Sequence, residues 1–157
     1  MSTSELARIE ASAPRRMIGV GAMLLLGGLL LYIAFAQPPE SLLWRVFLLV
    51  LGGVALWFSS RMWVSTGHAL ILTDEALSDS DGTVIARLDQ IARVDRSMFA
   101  AKPSNGFLLI LKDPAPRAWR PGLWWRVGRR VAVGGVTAGS ATKPVADMIS
   151  IKLASKG

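Results

Sequence analysis

The spacing of apolar positions divides this chain into two unlike parts. From Met17 to Ala36 twenty residues pass without a charge, and after Gln37-Pro38-Pro39-Glu40-Ser41 a second apolar stretch runs from Leu42 to Phe58. About twenty helical residues match the roughly 30 Å hydrocarbon thickness of a bilayer. The pattern therefore predicts a transmembrane helical hairpin over 17–64, with spans at 17–36 and 42–58 and a tight Pro-Pro turn between them. Twenty apolar residues exceed the core of a signal peptide, and Ala34-Phe35-Ala36-Gln37 is a weak cleavage site, so the first span is expected to be retained. Residues 1–16 are polar and predict a mobile leader, with a short surface helix over 4–10 ended by Pro14.

From His68 the period shortens to two. Strands are expected over 68–72, 76–78, 84–88, 91–97, 107–111 and 126–133, separated by turn residues. Asp79-Ser80-Asp81-Gly82 is the strongest turn, because glycine accepts the positive φ such hairpins demand. Asp79 and Asp81 alternate as in a calcium loop, but the third ligand position and the distal Glu are missing, so no metal is expected. Val145, Met148, Ile149 and Lys152 then fall at helical spacing and predict a C-terminal helix over about 143–154, with Thr142 as N-cap and Pro144 in the first turn.

Charge changes the picture in one respect. The net charge is +7, and residues 66–157 supply most of it, with 13 Lys/Arg against 8 Asp/Glu. Arg8, Arg15 and Arg16 precede the first span and Arg61 follows the second, while the short connection offers Glu40 and, just inside the second span, Arg45, which can snorkel to the interface. The positive-inside bias then places both termini in the cytoplasm, in an integral inner (plasma) membrane protein. A basic module beside an anionic leaflet is drawn to it by about 1 kcal/mol per nearby Lys or Arg. With no cysteine there is no disulfide framework, thiol nucleophile or thiolate metal site.

The most unusual stretch is Asp113 to Arg130. Pro114, Pro116 and Pro121 make a regular strand or helix improbable there, so Arg117, Trp119, Arg120, Trp124, Trp125 and Arg126 are expected on a loop, followed by Arg129 and Arg130. Indoles favour the membrane–water interface and guanidinium groups pair bidentately with phosphate, which makes these eight residues candidates for contact with a membrane or a partner. The bland alternative has one or two of the tryptophans closing the core. Catalytic patterns are missing: His68 is the single histidine, and no G-x-S-x-G, Walker or H-E-x-x-H motif occurs. No cofactor, small-molecule substrate or nucleic acid is expected.

The hairpin 17–58, the phrase Leu72-Thr73-Asp74-Glu75-Ala76-Leu77, the strand Arg87-Leu88-Asp89-Gln90-Ile91 and the helix after Gly134-Gly135 together resemble bacterial membrane proteins carrying a pleckstrin-homology-like domain. The resemblance implies an α+β membrane protein: a transmembrane hairpin followed by a small antiparallel β domain over 66–157 with one C-terminal helix. It also implies a non-enzymatic, membrane-anchored binding or scaffold protein whose cytoplasmic domain contacts lipid headgroups, anionic ones included, or a membrane-protein partner. The alternative is an accessory subunit or assembly factor of a larger membrane complex.

Overall fold

A computed structural model describes residues 4–97 and 103–157. The first three residues of the leader, and Lys102 of the turn expected before Phe107, lie outside the described residues. Two helices of 24 residues each, α1 (Ala13–Ala36) and α2 (Leu42–Ser65), run antiparallel as a hairpin. Both are long and apolar enough to cross a membrane, and only 17% of each apolar window is buried, unlike the core helix of a soluble protein. Their close contact depends on two glycines: a Cβ on Gly27 would stand 3.0 Å from the Gly52 carbonyl oxygen, and one on Gly52 would stand 3.2 Å from that of Gly27. Ser59 Oγ adds a hydrogen bond across the pair to Val20 O at 3.1 Å. Gly21, Gly28 and Gly53 face open space instead.

The rest is a small β structure of two antiparallel sheets. Strands β1 (Ala7–Ile9), β2 (Leu70–Leu72), β3 (Ala76–Asp79) and β4 (Val84–Arg87) form the first, in that order. Strands β5 (Ile91–Asp95), β6 (Phe107–Arg120) and β7 (Trp124–Val133) form the second. Helix α3 (Gly139–Ser155) packs on β1, β5 and β6 and supplies Val145, Ala146 and Ile149 to a core with Leu70, Leu77 and Leu109. The layout is α+β: two long apolar helices, antiparallel sheets and a C-terminal helix.

Three local expectations are corrected. The leader makes a strand over 7–9 in place of a surface helix over 4–10. Ile9 is fully buried, and Ile9 and Leu70 pair across 61 positions of sequence. Leu6 N–H donates to Leu72 O, and Ser12 N–H to Val136 O. Pro14, expected to end a helix, falls at the start of α1, where its missing N–H costs nothing. The helical hairpin is thus an insertion into the β1–β2 connection, not an element preceding the β structure.

The stretch expected as a loop is a long hairpin of β6 and β7. Proline is tolerated on edge strands and at bulges, and both exceptions operate here. Register slips between Ile110 and Ala115 and again between Ala115 and Ala118, around Pro114 and Pro116. Strand β5 pairs with β6 only as far as Leu111, so among the described residues both prolines lie on an edge with no strand partner. Pro121 occupies the turn with Gly122, whose φ is +82°.

Helix α3, finally, starts at Gly139 rather than near 143. Thr142 lies inside it and donates to Asn105 O instead of capping. Pro144 is inside too. The carbonyl that it leaves without a helical donor belongs to Ser140, an exposed residue.

Candidate functional site

The β6–β7 hairpin descends beside the end of α2, and its placement begins with one buried acid. Asp79 ends β3 and its side chain is fully excluded from solvent. Trp124 Nε1 donates to Asp79 Oδ2 at 3.3 Å, His68 Nδ1 lies 3.2 Å from Oδ1, and Arg120 Nε lies 3.7 Å from Oδ2. Arg120 also reaches Asp81 on the neighbouring turn. A buried carboxylate is tolerated only when so paired. His68, Asp79 and Asp81 bring their ligand atoms within 4.8 Å of one another, the spacing of a metal site. Arg120, bonded to both carboxylates, already supplies the positive charge a cation would bring.

Arg126 is a second anchor. Its guanidinium donates to Pro116 O at 2.7 Å, Val84 O at 3.1 Å and Ile85 O at 2.8 Å, closing carbonyls of β4 against the hairpin. Ser65 Oγ, at the end of α2, donates to Pro121 O at 2.7 Å and so holds the hairpin tip. Gly122 lies against Met62 and Thr66, where a Cβ would come within 2.8 Å of Thr66 Cγ2. On the other helix Arg16 stacks over Trp63, 3.9 Å from the ring centroid, and donates to Trp63 O at 2.8 Å and Thr66 Oγ1 at 2.9 Å. Val136 closes the joint against Val20 and Met62. Helices and β structure are therefore fastened at several independent points.

The eight candidate residues divide between two faces. Residues opposite each other in antiparallel strands share a face, and adjacent residues do not. Arg120 pairs with Trp124 and Ala118 with Arg126, and these point inward. Trp119 pairs with Trp125 on the opposite face, where Trp119 is 48% exposed and meets Phe58 of α2 at 5.5 Å between centroids. Arg117, Arg129 and Arg130 are exposed. Trp124, Arg120 and Arg126 thus build the hairpin, while Arg117, Trp119, Trp125, Arg129 and Arg130 are what it displays. Sequence alone did not separate Trp124 from Trp125, because that distinction requires the strand parity hidden by the prolines. It also missed Asp79 as the organising acid. The one available signal was an acidic residue at the end of an apolar strand.

A cleft of about 420 Å³ lies at the start of α3, between Asn105, Phe107, Ser140 and Lys143. A groove of about 350 Å³ runs along the hairpin tip between Trp119, Trp125, Gly122 and Gly135.

The turn after β3 has a pH signature. The Asp81 carboxyl is held below its ordinary value chiefly by the Thr83 backbone N–H and hydroxyl, with Arg120 and His68 adding to the effect. A carboxyl depressed in the folded state contributes stability above its unfolded value near 3.9, lost as pH falls through the lower folded value. The melting temperature in detergent is expected to drop below about pH 4, and Asp81→Asn to flatten part of that slope. An acid slope identical in the variant would contradict this assignment.

No family model, curated protein or solved structure matches this chain, so its function is to be read from the geometry itself.

Proposed function

We propose that the chain is a membrane-anchored, non-enzymatic scaffold. Its α1–α2 hairpin spans the inner membrane, and a pleckstrin-homology-like module held on the cytoplasmic side contacts lipid headgroups or a membrane-protein partner. The observation that carries the proposal is the insertion of the hairpin between β1 and β2. Leu25, Leu29, Leu43 and Val50 stand exposed along it. A band of this kind is costly in water and at rest in hydrocarbon. Cleavage after Ala36 would remove β1 and expose the core that Ile9 covers, which favours a retained first span. Arg15, Arg16 and Arg61 gather at the β end of the hairpin, against Arg45 and Glu40 at the other, an excess of positive charge that supports a cytoplasmic β structure. Sheets of four and three antiparallel strands with a C-terminal helix support the pleckstrin-homology-like description.

Because the chain lacks cysteine, introduced thiols report topology without background. In intact cells an impermeant maleimide is expected to label Glu40→Cys and to leave Ser4→Cys and Ser155→Cys unlabelled until the membrane is opened. Recovery of the intact chain as a monodisperse species without detergent would sink the proposal, as would labelling of the termini from outside.

A further inference from the structure

We propose that the ribbon formed by residues 112–130 is a lipid-contact arm lying in the headgroup zone of an anionic leaflet, on the same side of the membrane as the β structure. The inference rests on the membrane reading above and adds which surface meets the lipid and what chemistry it selects.

Depth is the first argument. Beyond Leu111, β6 is paired with β7 alone among the described strands, so the hairpin continues as a two-stranded ribbon past the end of β5. Trp119 rests on Phe58, seven residues before the end of α2. At 1.5 Å per helical residue the Trp119 ring reaches roughly 10 Å down the helix flank, toward the layer that Trp57 and Trp63 occupy, while the tip at Pro121 and Gly122 stays at the helix end. Trp119 and Trp125 share one face there, and Val127, half exposed, follows on the same strand. Through Trp119 this face meets the apolar flank of α2 at Phe58. A ribbon fixed by Ser65, Arg126 and Asp79 has no freedom to leave that layer without unfolding its joint.

Charge is the second argument. Lys112, Arg117, Arg129 and Arg130 are exposed, and among the described residues none of them meets an acidic partner. Asp113 is the one acid on the ribbon. Arg120 is paired with Asp79 and Asp81, and the Arg126 guanidinium is held by backbone carbonyls, so neither is free to reach a headgroup. Four uncompensated cations beside an interfacial tryptophan pair complement phosphate-bearing headgroups of net negative charge. The open edge of β6 is closed to strand addition by Pro114 and Pro116, which argues against an extended peptide as the occupant.

The test uses the full chain in lipid nanodiscs, with bimane on a single introduced cysteine. At Leu25→Cys, on the exposed flank of α1, fluorescence is expected to be quenched by nitroxide carried on acyl chains. At Val127→Cys it is expected to be quenched by nitroxide carried on headgroups, more strongly in phosphatidylcholine mixed with phosphatidylglycerol than in phosphatidylcholine alone. Replacing Lys112, Arg117, Arg129 and Arg130 with Gln should weaken the preference for the anionic mixture about fivefold per cation removed, without moving the melting temperature. Absence of quenching at Leu25→Cys overturns the membrane reading itself. Quenching at Leu25→Cys with none at Val127→Cys overturns only the arm, and so does shielding of Val127→Cys by a protein in native membranes but not by lipid in nanodiscs. Equal quenching in both lipid compositions overturns its anionic selectivity.

Discussion

Ile9→Asp is expected to unfold the β structure while leaving the helical hairpin in place. Ile9 is fully buried beside Leu70 and Leu72, so truncating it alone would cost about 2–5 kcal/mol. Aspartate adds an unpaired carboxylate to a site with no donor prepared for it, several kcal/mol more. Small domains have only about 5–15 kcal/mol to lose. The measurement is limited proteolysis in detergent, where the variant should be cut rapidly after residue 66 and Ile9→Val should resist like the parent. Equal resistance of Ile9→Asp would show that β1 contributes nothing to the fold. A fragment beginning at Thr66 should fail in the same way, since it lacks β1 and leaves the edge of β2 bare.

Trp124→Ala carries the second large effect. Removing a buried tryptophan costs about 3–5 kcal/mol by cavity formation alone. Here the substitution also strips the indole donor from a carboxylate that has no solvent to replace it. Trp124→Phe fills most of the space but leaves Asp79 one bond short, for about 1–3 kcal/mol. Trp119→Ala sits at the surface and should change stability by no more than about 0.5 kcal/mol. Thermal denaturation of the three variants in one detergent orders them, and a Trp119→Ala loss equal to that of Trp124→Ala would overturn the division of the hairpin into inner and outer faces.

That division shows how far the sequence could be read. Length and apolarity sufficed for α1 and α2, since a helix that long requires no distant partner to be recognised. The Asp79–Gly82 turn was equally local: its chemistry lies within four residues, and β3 and β4 join there with Gly82 at φ +93°. Strand β1 was invisible because three residues with one buried isoleucine carry no period. Its identity comes from partners 61 positions away, on the far side of the hairpin. The ribbon was hidden for the opposite reason: Pro114 and Pro116 gave a strong local signal of irregular chain, and only a bulged, open-edged strand admits them. In β5 a smaller version occurred, where a bulge between Ile91 and Arg93 shifts the parity so that Ile91 and Val94 turn inward together. Local chemistry was legible; pairing across distance was not.

Synthesis gives the inserted hairpin a further meaning. Strand β1 is made before β2, and on the proposed membrane reading it has nothing to pair with until both helices have been made and the chain has recrossed the bilayer. Completion of the first sheet would then record correct threading: an odd number of crossings would leave β1 across the bilayer from β2. Such a product would leave the edge of β2 unpaired, a template for pairing with other chains.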